Sequence, residues 1–144
     1  MTVKRNSENF ILREIDRLRI CAIKHRRNVR AGKKRGGLRR YLTEVYRSYL
    51  NLRSNGIGES AKRRIEKLLQ LPTNRSSHLL LILIWASAPK EDPRQKSRWS
   101  QALIFAYGWR QRPERLDYFF GINGGIYGCS RKQALLNASR PPKW

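Results

Sequence analysis

Nine of the 17 residues from 24 to 40 (KHRRNVRAGKKRGGLRR) are Lys or Arg, and none is acidic. They are Lys24, Arg26, Arg27, Arg30, Lys33, Lys34, Arg35, Arg39 and Arg40. Cations at this density neutralise phosphates, and each contact releases about one counterion. Arginine adds a planar fork that fits a phosphate or the edge of guanine. Gly32, Gly36 and Gly37 lower helix propensity. They also let backbone amides approach a polymer closely. The segment is therefore expected to be a basic, glycine-containing hinge or arm, kept extended by self-repulsion until it meets an anion. The plainer role for such a run is a solvated linker. In a eukaryotic source it also has the composition of a nuclear-targeting signal.

A second constellation lies at 113–138, PERLDYFFGINGGIYGCSRKQALLNA. Two short helices joined by a glycine turn resemble a helix-turn-helix motif. In that motif the first residues of the second helix touch base edges in the major groove. Here the resemblance implies Tyr127, Ser130 and Arg131 outward, with Lys132 and Gln133 behind them. Arg131 would suit guanine and Gln133 adenine. Ile126, Cys129, Ala134 and Leu136 would then pack inward. A purely structural helical hairpin has the same pattern. The glycines also show GxxG spacing, as in KH loops that clamp an RNA backbone, but those loops need flanking strands and none is readable. A dinucleotide fingerprint must follow a strand as well.

Tyr41, Tyr46 and Tyr49, with Trp85, Trp99, Trp109 and Trp144, have faces on which bases can stack. Tyr41, Tyr49, Trp99 and Tyr107 recur at helical spacing, which marks core instead. Trp144 sits on a polar tail beside Pro141 and Pro142. Catalysis has little to work with. Metal-dependent nucleases and integrases need clustered carboxylates, whereas the ten acids are scattered. The chain is too short for the catalytic domain of a tyrosine recombinase. Cys21 and Cys129 lack CxxC spacing, and His25 and His78 are the only histidines. No metal, no cofactor, no catalytic residue and no disulfide framework is expected; the thiols are expected to be small buried groups in a reducing compartment.

Charge narrows the partner. The chain carries 32 Lys and Arg against 10 Asp and Glu, a formal net charge of +22. Ordinary soluble domains stay within roughly 8 charges of zero. Such a field attracts polyanions at long range. The N-terminal residues are polar, with no signal-like apolar stretch. The longest apolar run is Leu79–Ala86, far short of the roughly 20 residues of a membrane span. A soluble protein of the cytoplasm or nucleoid is expected, or of the nucleus in a eukaryotic source.

The elements that must position these groups are helical. Ile11, Ile15, Leu18 and Ala22 predict a helix over 8–24, capped by Ser7. Leu38, Tyr41, Leu42, Val45, Tyr49 and Leu52 predict another over 38–53, stopped by Ser54-Asn55-Gly56. Ala61, Ile65, Leu68 and Leu69 predict a third over 59–70, with Lys62, Arg63, Arg64 and Lys67 outward and Pro72 beyond its end. The run from Leu79 to Ala86 fits a strand or a helix by periodicity. Its leucine content, a cap at Ser76 or Ser77 and the lack of a partner strand make it a helix. Helices at 94–109, after Pro113 and at 126–138 complete the chain. The expected fold is all-α, a single compact domain of five or six short helices with the basic arm and the C-terminal helix-turn-helix-like hairpin. Residues 1–72 carry +14 and residues 73–144 carry +8. This shift suggests an electrostatic part at 1–72 and an aromatic-rich part at 73–144.

Together these features lead to the expectation of a small non-enzymatic DNA-binding protein, a regulatory or accessory factor of a replicon or mobile element. DNA is favoured over RNA as the partner, and no membrane is expected. An RNA-binding or ribosome-associated protein has a similar composition. A third class is an arginine-rich module that holds an acidic protein, such as an antiactivator or inhibitor.

Overall fold

The computed structural model describes residues 2–30, 37–70 and 77–139, with side chains described from Asn9 to Arg27 in the first of these ranges. The fold is all-helical, and no strand occurs among the described residues. The helices are α1 (Thr2–Arg30), α2 (Gly37–Ser54), α3 (Gly58–Leu69), α4 (Leu79–Ser87), α5 (Pro93–Gly108), α6 (Leu116–Ile122) and α7 (Gly125–Ser139). A 3-10 turn at Pro113–Arg115 leads into α6. The described residues pack as two compact units, 1–91 and 92–144, in place of the single domain that the length suggests. The composition shifts near 72–76, but packing divides later because α4 belongs with α1, α2 and α3.

In the first unit, α1 buries Ile11, Ile15, Leu18 and Ala22, and α2 buries Tyr41, Leu42, Val45, Tyr46, Tyr49 and Leu52. The run at 79–86 is a helix, as its leucine content predicts. α4 packs against α1, α2 and α3, so neither of its sides is left polar. That is why it has no periodicity: a helix buried on most of its circumference needs no polar face. Its cap is not the expected serine. His78 takes the position, and its Nδ1 accepts the Leu80 N–H at 3.1 Å.

α1 is longer than its apolar stripe predicts. It starts at Thr2, ahead of the expected Ser7 cap, and runs to Arg30. No Gly or Pro lies between residues 2 and 30, and Arg and Lys are good helix formers. Lys24, Arg26, Arg27 and Arg30 are therefore helical rather than part of an extended arm. Arg39 and Arg40 belong to the first turns of α2. Lys33, Lys34 and Arg35 lie outside the described residues, as does Trp144.

Polar contacts also fasten this core, two of them through buried serines. Arg17 of α1 donates to Glu14 at 2.8 Å and to the buried Ser48 hydroxyl of α2 at 2.7 Å, and it also pairs with Glu44. Ser48 in turn donates to Glu14. The two carboxylates hold the Arg17 proton more tightly than burial loosens it. The second contact joins α2 to α4: the Tyr41 hydroxyl meets Ser87 Oγ at 2.5 Å, and Ser87 donates to Leu83 O at 2.7 Å. Ser87→Ala removes the acceptor of a buried phenol. It is expected to cost about 1 kcal/mol, a typical net value for one hydrogen bond. Chemical denaturation of Ser87→Ala, Tyr41→Phe and the double variant checks this: the two losses should be clearly less than additive.

The second unit packs α5, α6 and α7 together. α5 buries Trp99, Ala102, Leu103, Phe105 and Ala106, and the aromatic rings of Phe105 and Phe119 lie 5.7 Å apart. Pro93 and Pro113 each occupy a first helical position, where a missing N–H costs nothing.

Candidate nucleic-acid interface

In the first unit the clearest candidate surface is formed by α2, its turn and α3. The turn is determined locally. Gly56 has φ +69°, its N–H bonds Arg53 O at 3.0 Å, and the Ile57 N–H bonds Leu52 O at 3.1 Å. This pair of bonds is a Schellman stop, and a residue with a Cβ would be strained at its left-handed position. Only Asn55, Gly56 and Ile57 separate the two helices. A three-residue glycine turn between two helices is common to helical hairpins and helix-turn-helix motifs.

α3 is held by Ala61 and Ile65, one turn apart, both buried, and it packs on α4. Anchoring that face turns Glu59, Ser60, Arg63 and Lys67 into solvent, with Arg64 half-buried. With Gly56 these residues line an open groove that runs along the helix from its first turn to its last. Among the described residues, Arg63 and Lys67 form no ion pair. Glu59 is the single acid in the lining, and the positive end of the helix dipole lies at the same end. The groove thus presents three cations and one carboxylate.

Behind the groove, Arg53 reaches the Tyr49 hydroxyl at 3.2 Å and lies 5.8 Å from its ring centre. The Tyr49 and His78 rings are 5.3 Å apart. Burial first, then the charges of Lys62 and Arg53, push His78 down to about 4. His78 is therefore a neutral cap at neutral pH and adds no charge to the surface.

In the second unit the two helices of the C-terminal hairpin are α6 and α7. Tyr127 and Arg131 are exposed, as expected. Arg98 of α5 and Arg131 of α7 both lie over the Tyr127 ring, at 5.3 and 5.9 Å from its centre. Lys132 is exposed, and its Nζ donates to Asn123 Oδ1 at 2.9 Å. Ser130 and Gln133 are buried, contrary to the outward placement expected of them. α7 packs extensively on α5, and small or short polar groups permit that approach. Gln133 donates to Asn137 at 3.0 Å, and Asn137 donates to Gln101 of α5 at 3.3 Å. Gln133 therefore has no position from which to read adenine. Ala134 and Leu136, expected inside, are exposed. Cys129 is buried as expected, and burial pushes its thiol up despite the nearby Lys132.

The glycines of this hairpin are structural. Gly124 and Gly125 have φ of +84° and +77°. A Cβ at Gly128 would lie 2.3 Å from the carbonyl oxygen of Asn123, a contact with rigid backbone. Gly128→Ala must push α7 off the turn. Overpacking of this kind costs about 1–3 kcal/mol, and the helix propensity of alanine returns about 1. A net loss of up to about 2 kcal/mol is expected, read as a lower Tm, whereas Gly121→Ala meets open space and should not lower it.

Of the nine arm cations, Lys24, Arg27 and Arg40 are exposed, while Arg26 and Arg39 are half-buried. The side chain of Arg30 lies outside the described set. Sequence reading placed the α3 cations outward but gave them no site. The Asn55-Gly56 stop and the basic amphipathic helix are each readable in the sequence; their adjacency is the signal that points to this surface. Among the described residues no three His, Cys, Asp or Glu side chains gather as metal ligands, and no helix is long and apolar enough to cross a membrane. No protein-family model matches the chain, and neither a characterised protein nor a solved structure is significantly similar to it.

Proposed function

We propose that the protein is a small regulatory or accessory factor that binds nucleic acid, with duplex DNA as the preferred partner. The observation that carries this reading is the α2–turn–α3 unit: a short glycine turn leads into a helix whose free face is cationic, on a chain of net charge +22. Arg63, Arg64 and Lys67 would contact phosphates, and Ser60 and Glu59, at the start of α3, would lie nearest to base edges. Exposed Lys24, Arg27 and Arg40 would add affinity without sequence information.

The test is the affinity of the full chain for a duplex as salt is varied. Several phosphate contacts give a steep line, with log K falling by about 0.9 per contact for each tenfold rise in salt. A flat line would sink the proposal. Equal affinity for unrelated duplexes would remove base reading and leave phosphate binding.

A second reading, RNA or single-stranded nucleic acid, is favoured by the Arg98–Tyr127–Arg131 cluster and by exposed Tyr118 and Trp109. Aromatic and guanidinium planes hold unpaired bases. Competition between duplex DNA and structured RNA decides: RNA displacing DNA at equal concentration would reverse the preference. Tyr127→Ala should then weaken RNA binding by roughly tenfold, the scale of one lost stacking contact.

A further inference from the structure

We propose that the cavity between the C-terminal half of α1 and the residues that follow α4 binds a nucleoside monophosphate. The cavity has a volume of ≈ 300 Å³, at the lower end of small-ligand sites. It lies entirely within the first unit and does not share residues with the α3 groove.

Three kinds of chemistry meet there. Arg26, Arg27 and Lys90 supply positive charge. Arg26 Nη1 is shielded from solvent and has no hydrogen-bond partner among the described residues. A buried guanidinium donor without an acceptor is unfavourable, so the position is suited to an anion's oxygen. The neighbouring guanidinium of Arg19 is tied to the wall: its Nε donates to Ala86 O at 3.1 Å, at the end of α4. This contact secures the wall and leaves the orphaned donor to Arg26.

The wall itself is apolar. Ala22 and Ile23 face it from α1, and Ala88 and Pro89 from the other side. Ile23 is 50% exposed, an isoleucine face that a flat ring would cover. The remaining charge is Glu91, also in the lining. A carboxylate is the wrong partner for a bare phosphate but the right acceptor for a sugar hydroxyl, as in dinucleotide sites. Phosphate to Arg26, Arg27 and Lys90, ribose to Glu91 and base to Ile23 and Pro89 give the cations, the carboxylate and the apolar wall each a role. A free phosphate would leave the apolar wall and Glu91 without a role.

The experiment is calorimetric titration of the full chain with adenosine 5′-monophosphate, adenosine and inorganic phosphate in turn. One molecule of the monophosphate should bind per chain, at least roughly tenfold tighter than adenosine or phosphate, the scale of one charge-assisted hydrogen bond. Arg26→Gln should lose about tenfold of that affinity, and Arg26→Lys, which keeps the charge but not the fork, should lose part of it. Arg13→Gln removes an exposed charge elsewhere on α1 and should leave binding unchanged. Thermal melts of the variants confirm folding.

Equal losses in Arg13→Gln and Arg26→Gln would overturn the site in favour of the general field of the protein. Inorganic phosphate binding as tightly as the monophosphate would overturn the nucleoside part. A short 5′-phosphorylated strand that binds far tighter than the mononucleotide, with the same loss in Arg26→Gln, would reassign the pocket to strand ends. The mononucleotide measurements involve no polymer. Duplex binding can therefore fail while the pocket stands, and the reverse.

Discussion

Replacing Arg63, Arg64 and Lys67 together by glutamine is expected to weaken duplex binding by about 100-fold at physiological salt. Each cation on a phosphate contributes about 0.9 to the slope of log K against log salt. At about 0.15 M salt this amounts to roughly a factor of five per contact, so three contacts give about two orders of magnitude. The slope should also become shallower by nearly three, which separates lost phosphate contacts from lost folding. Glutamine is chosen because its helix propensity is close to that of Arg and Lys. Ala61 and Ile65, which hold α3 in place, are untouched. The measurement is fluorescence anisotropy at several salt concentrations, beside a thermal melt. Loss of affinity with an unchanged slope would show that these three residues do not face phosphates. No loss at all would remove α3 from the interface.

Lowering the pH from 7 to 4 is expected to remove up to about 3 kcal/mol of stability through His78 alone. Its ring is mostly buried, lies against Tyr49 and has Lys62 and Arg53 nearby, so its pKa falls from 6.5 to about 4. In the unfolded chain the imidazole takes up a proton near its ordinary value. In the folded chain it stays neutral, because the Nδ1 lone pair accepts the Leu80 N–H and the surroundings resist charge. The unfolded state therefore binds more protons between these two values. The contribution is complete above pH 6.5, declines as pH falls toward 4, and changes little below that. A shift of about 2.5 units corresponds to about 3 kcal/mol. His78→Asn keeps a capping acceptor and removes the titration. Urea denaturation of both proteins across this range isolates the imidazole as the difference between the curves. Between pH 7 and 4 the wild-type curve should fall by up to about 3 kcal/mol relative to the His78→Asn curve; parallel curves would show that His78 does not titrate differently on folding.

The limits of the sequence are visible in these same residues. In α3 the apolar positions Ala61 and Ile65 turn Arg63 and Lys67 outward as expected, whereas Lys62 and Arg64 are half-buried and Leu68, expected in the stripe, is 54% exposed. The same logic failed in α7, where Cys129, Ala134, Leu135 and Leu136 form no clean stripe. There the buried face includes Ser130 and Gln133, while Leu135 is 68% exposed. Hydrophobicity ranks side chains by their cost in water; it does not rank them by how closely a second helix approaches. The capping of α4 failed for a related reason. Ser76 and Ser77 are better caps than histidine in isolation, but the ring of His78 also packs on Tyr49, a residue 29 positions earlier in the chain.

By itself the sequence determined what acts over a few residues or over all of them. The charge of +22 comes from composition, and the all-helical class from 3.6-residue stripes without a partner strand. The stop at Gly56 follows from Asn-Gly and the left-handed backbone that glycine permits. The tertiary structure alone decided which segments share a core and which polar groups that core encloses. It joined α4 to the first unit, buried Ser130 and Gln133, and left Arg26 Nη1 shielded beside an apolar wall. Each of these depends on a surface supplied from elsewhere in the chain. Burial is a property of two packed elements, and local pattern describes only one of them.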